Sequence, residues 1–128
     1  MRTLAASGLR IRLGIGLGVA LSLATCSLSL ADGGNSKSVT GHLRDSFCYA
    51  VMGAQGASHQ KCAIGCAKAG IPVLMVENGT DKSYVLIPPK NDEALPAGVI
   101  DKMEDEVTIT GNVFEKGGTN FLQVESVK

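Results

Sequence analysis

The 128-residue sequence has no tryptophan, two tyrosines, three phenylalanines and two histidines, and twelve acidic residues balance its twelve lysines and arginines. That balance leaves no basic surface for a polyphosphate backbone, and so few aromatics leave little for bases to stack on, which argues against a nucleic-acid partner. No glycine-rich phosphate loop, Gly-x-Ser-x-Gly, His-Glu-x-x-His or Cys-x-x-Cys-His occurs. The common nucleotide-dependent, hydrolytic, metalloprotease and haem-attachment chemistries therefore lack their residues, and the chain is expected to be non-catalytic. Sixteen glycines work against a bundle of long helices, and the length allows one domain. Against these shortages stand four cysteines.

The ends of the chain differ in kind. Residues 1–31 carry Arg2, Arg10 and Arg12 with no acidic residue, and an apolar run extends from Leu13 to Ala24. A positive start before an apolar stretch too short for a bilayer span reads as a secretory signal peptide. Ser29-Leu30-Ala31 offers small residues for cleavage after Ala31. Leu23-Ala24-Thr25-Cys26 offers a lipoprotein box instead, in which a lipidated Cys26 would anchor the chain to a membrane. Cleavage after Ala31 is the preferred expectation, giving a periplasmic or secreted protein. The 97 residues that remain hold nine basic and twelve acidic side chains, a net charge of −3, and three cysteines.

Residues 32–38 are polar and read as a flexible lead-in, with a single domain over 39–128. In Val39–Phe47, alternation puts Val39, Leu43 and Phe47 on one strand face and Thr40, His42, Arg44 and Ser46 on a solvated one. Met52–Ala57 reads as loop. Ser58 offers an N-cap to a helix over His59–Ala69, which Gly70 and Pro72 would end. Val73–Glu77 and Ser83–Ile87, joined through Asn78-Gly79, read as a hairpin. Residues 91–105 read as polar, with a short helix ending near Asp105, and Asp101, Glu104, Asp105 and Glu106 as a solvated acidic turn. Val107–Val113 and Phe121–Glu125 form a final hairpin about Glu115–Thr119. The expectation is a mainly β protein with one or two short helices and five strands, as a small barrel or curved antiparallel sheet.

Three segments carry a resemblance. Thr40-Gly-x-Leu-x-Asp-x-x-Cys-Tyr49, His59-x-x-Cys-Ala-x-x-Cys-Ala-x-x-Gly-x-Pro-Val73 and Val107-Thr-Ile-Thr-Gly-x-Val-Phe-Glu-Lys-Gly-Gly118 are similar to small secreted bacterial proteins with an OB-like domain. The resemblance spans residues 39–128 and implies an OB-like barrel and an extracytoplasmic location, with no settled activity. Such a barrel commonly places its helix between the third and fourth strands, whereas the stronger helix here falls between the first and second.

Most of the chemistry lies in Cys48-x10-His59-x2-Cys62-x3-Cys66. On a helix turning 100° per residue, His59, Cys62 and Cys66 share a sector about 60° wide. Cys48, after the first strand, meets them if that helix packs over the strand, and Met52 could add a thioether. Three thiolates and an imidazole suit tetrahedral Zn(II), and two or three thiolates suit Cu(I). The candidate metal ligands are thus Cys48, His59, Cys62 and Cys66, with copper or zinc as the ion. The plainer alternative is a disulfide from Cys48 to Cys62 or Cys66, worth about 3 kcal/mol, in a binding module without metal. An unidentified periplasmic protein would then be the partner. A third alternative is a thiol-redox partner protein, although no Cys-x-x-Cys in a βαβ setting supports it. The odd thiol count after cleavage, which a single disulfide leaves unexplained, keeps the metal reading beside it.

Overall fold

The computed structural model describes residues 35–80 and 82–128. The expected signal peptide, its cleavage site, Cys26 and residues 32–34 of the lead-in lie outside them. The element order is β1 (Asn35–Asp45), a π-helical turn (Cys48–Met52), a 3-10 turn (Ala57–His59), α1 (Gln60–Lys68), β2 (Val73–Glu77), β3 (Ser83–Ile87), α2 (Ala97–Ile100), β4 (Glu106–Lys116) and β5 (Thr119–Val127). The strands close into a barrel in the order β1-β2-β3-β5-β4. β4 returns to pair with β1, β3 and β5 run parallel, and every other pair is antiparallel. Of the two expected architectures the barrel is therefore the one formed. Among the described residues no helix is long and apolar enough to cross a membrane.

β1 bends from one partner to another. Its first part pairs with β4 over Asn35–His42 and its last with β2 over Gly41–Asp45, so Gly41 and His42 belong to both ladders. A side chain at Gly41 would run into the Val76 carbonyl, and only glycine lets the two backbones come this close. The strand corrects the sequence reading in three places. Asn35–Ser38 are not a flexible lead-in, because they pair with Val113–Thr110 of β4. The strand ends at Asp45, since the chain turns helical after it, and Phe47 leaves the inward register to stand 54% exposed. Arg44 is buried rather than solvated.

Inward residues alternate along every strand and fill the barrel: Val39 and Leu43, Val73 and Met75, Tyr84 and Leu86, Val107 and Ile109, Leu122 and Val124. Val99 and Met103, in and after α2, close one side of this core. The hairpins fall where expected, except that the last turn tightens to Gly117-Gly118 as pairing reaches Lys116 and Thr119.

α1 lies between β1 and β2 and buries Ala63 and Ala67 against the core, small side chains that let it lie close to the barrel. It has no side-chain N-cap, so Ser58 does not serve as one. A 3-10 turn leads into α1 instead, with the His59 N–H donating to the Gly56 carbonyl at 2.9 Å. Its end matches the sequence reading. Gly70 takes φ 92°, the Ile71 N–H reaches the Cys66 carbonyl at 3.0 Å and the Gly70 N–H reaches that of Ala67 at 3.1 Å. This left-handed cap satisfies carbonyls that the helix leaves open.

Candidate metal centre

Asp45 is the last residue of β1 and faces inward by the same alternation that points Val39 and Leu43 into the barrel, with no exposed surface. There it organises the π turn. One carboxylate oxygen accepts the Cys48 backbone N–H at 2.8 Å, and the other accepts Nε2–H of His59 at 3.0 Å. Burial pushes the Asp45 carboxyl up. The hydrogen bonds from the Cys48 backbone, the His59 ring and the Cys48 thiol outweigh that and hold it below its ordinary value. The expected loop after β1 begins as a π turn in which the Cys48 carbonyl accepts the N–H groups of both Gly53 and Ala54. Wide turns of this kind recur at functional sites.

This turn carries Cys48 inward, to 5% exposure, beneath the face of α1. Cys66 is half-buried and Cys62 exposed, one turn apart on α1, and all three are free thiols. Their sulfurs lie within 4.8 Å of one another. A metal with bonds of about 2.3 Å needs its sulfurs about 4 Å apart, so the separation suits a shared ion. A second set, the donor atoms of Asp45, Cys48 and His59, also lies within 4.8 Å. Cys48 belongs to both sets and gathers all four expected ligands around itself.

Two of the three thiols are held toward their protonated form. Burial, the hydrogen bond to Asp45 and the contact with Cys66 push Cys48 up to about 12. Burial also raises Cys66, which its hydrogen bond with Cys48 partly offsets. A thiol this reluctant to ionise is a poor nucleophile, whereas a bound cation removes the proton directly. Met52 is 67% exposed. With Phe47 and Val51 at 54% and 69%, it forms an apolar rim on the segment that carries Cys48.

Two residues escaped the sequence reading. Asp45 has a signal in retrospect: its odd-numbered register with Val39 and Leu43 places it inside. Glu104 looked like part of a solvated acidic turn, but it is buried and paired with the buried Arg44 guanidinium. It also accepts the Gly56 N–H at 2.7 Å, while its own N–H donates to the Leu43 carbonyl at 2.9 Å. Glu104 thereby ties the loop before α1 to β1, fixing the two segments that bring the thiols together. No family model, curated protein or solved structure matches the chain.

Proposed function

We propose that this chain is a non-catalytic, secreted or periplasmic domain that binds one soft metal ion, copper or zinc. Cys48, Cys62 and Cys66 hold the ion, and His59, oriented by Asp45, completes or tunes the shell. The observation that carries this reading is the meeting of three unbonded sulfurs within 4.8 Å at a partly enclosed place. The His59–Asp45 contact supports it, because metal-ligating histidines commonly donate their second ring N–H to a carboxylate. The location rests on the positively charged, then apolar, start of the sequence and on the resemblance to small secreted bacterial OB-like proteins.

The test is to express the chain with its own leader, recover it from the periplasm, and measure bound metal and free thiols after denaturation. One equivalent of copper or zinc with three free thiols is the expected result. A single free thiol without metal would instead support a second reading, a Cys48–Cys66 disulfide stapling α1 to the end of β1. The approach of those two sulfurs to within 4.8 Å of each other favours it. Radiolabelled palmitate in the product, lost on Cys26→Ala, would reassign the leader to a lipoprotein.

A further inference from the structure

We propose, on the basis of the metal-site reading, that the site carries Cu(I) on sulfur alone, and that the ion leaves by ligand exchange at Cys62. The donors of this region group in threes. In the mixed set, both Asp45 oxygens and Nε2 of His59 are already engaged, with the Cys48 N–H and with each other, and His59 shares no set with Cys62 or Cys66. The set left open is all sulfur. A soft monovalent d10 ion is content with two or three thiolates, whereas Zn(II) in a closed site takes four ligands.

Charge ranks the three sulfurs in the same order as exposure. Two thiolates on Cu(I) leave a net charge of −1, and a third adds another negative charge beside the Asp45 carboxylate. Water solvates that extra charge only at Cys62, the exposed thiol; Cys48 is buried and Cys66 half-buried. Cys48 is held at both its N–H and its carbonyl, and the Cys66 carbonyl is tied into the cap of α1. Cys48 and Cys66 therefore grip the ion, and Cys62 is the bond that opens.

The exchange moves no electrons. A thiolate or thioether sulfur from an acceptor protein forms a bond to Cu(I), the bond to Cys62 breaks, and the Cys62 thiolate takes a proton from water. The acceptor then replaces Cys66 and Cys48 in turn, and copper stays monovalent throughout.

The test uses the full chain with Cys26→Ser, reduced and anaerobic, loaded with one equivalent of Cu(I) from its acetonitrile complex. It is pulsed with N-ethylmaleimide and read by intact-protein and peptide mass spectrometry. A single adduct at Cys62 is expected while copper is retained, with Cys48 and Cys66 alkylated about a hundredfold more slowly than in the metal-free protein. Cu(I) should stay bound against a tenfold excess of Zn(II), and Cys62→Ser should weaken Cu(I) binding only about tenfold, or about 1.4 kcal/mol. Equal protection of all three thiols, or displacement of copper by zinc, overturns this inference and leaves a metal site standing. Failure to retain either ion overturns the metal reading beneath it. The labelling pattern is read on unmutated site thiols, so it does not depend on a variant folding.

Discussion

Asp45 does three things with one carboxylate: it starts the π turn through the Cys48 N–H, holds the His59 ring, and raises the Cys48 thiol. Replacing it with Ala leaves buried donors without an acceptor, and a loss of about 2–3 kcal/mol is expected in urea denaturation. The raised thiol has its own signature. A group whose folded pKa lies above its unfolded value adds stability that is complete below the unfolded value and lost as pH rises. For Cys48 that window runs from about 9 to about 12. The metal-free protein should therefore lose thermal stability across it, and Cys48→Ala should flatten the loss. Under the proposed metal reading the sense reverses, because each ligand thiol must shed a proton. Retention against a competing chelator should strengthen as pH rises from 6 to 8, and a weakly buffered titration should release protons with each ion bound.

At the scale of single elements, two glycines separate steric demand from conformational demand. Gly41→Ala sets a methyl group against the Val76 carbonyl where β1 is shared by two ladders, and a loss of about 3 kcal/mol is expected by thermal unfolding. Gly70→Ala meets no atom within 4 Å and is strained only by φ 92°, so about 1 kcal/mol is expected. Gly70 was legible as a helix end because the signal is local: a glycine after helix formers, with Pro72 behind it. The hairpins and the five strands were legible for the same reason, since alternation and Asn78-Gly79 act over a few residues. Phe47 was not. The alternation that includes it is real, but Asp45 ends the strand by capping the π turn at Cys48, and that depends on where its carboxylate is buried. Arg44 and Glu104 were opaque because they lie sixty residues apart in sequence and each looks solvated until the other is placed beside it.

Across the whole molecule, β1 joins two polar clusters. At its far end from the thiols, Lys37 donates to Glu77 at 2.8 Å and to the Tyr84 hydroxyl at 2.9 Å, and that hydroxyl donates to Glu77 at 3.1 Å. The Lys37 and Lys82 ammoniums lie 5.3 and 5.2 Å from the centre of the Tyr84 ring. The Lys37 hydrogen bond holds Glu77 below its ordinary carboxylate range, and the Glu77 hydrogen bond holds Lys37 above its ordinary range. The Glu77 contribution is present above the ordinary carboxylate value and lost as pH falls through the depressed one. The Lys37 contribution is lost as pH rises through its raised value. Because Lys37 is partly exposed, Glu77→Gln should cost only about 0.5–1 kcal/mol at neutral pH, shrinking in high salt, with metal retention unchanged.

The spacing of the thiols has a consequence for how the molecule is made. Cys48 and Cys66 are eighteen residues apart, so their encounter closes a short loop at modest entropic cost. The barrel closes only when β4 and β5, the last strands synthesised, pair with β1 and β3. Glu104, which fastens the loop before α1, also arrives late. The sulfurs can thus meet on an emerging chain well before the last strands shelter Cys48, so under the proposed metal reading capture precedes enclosure.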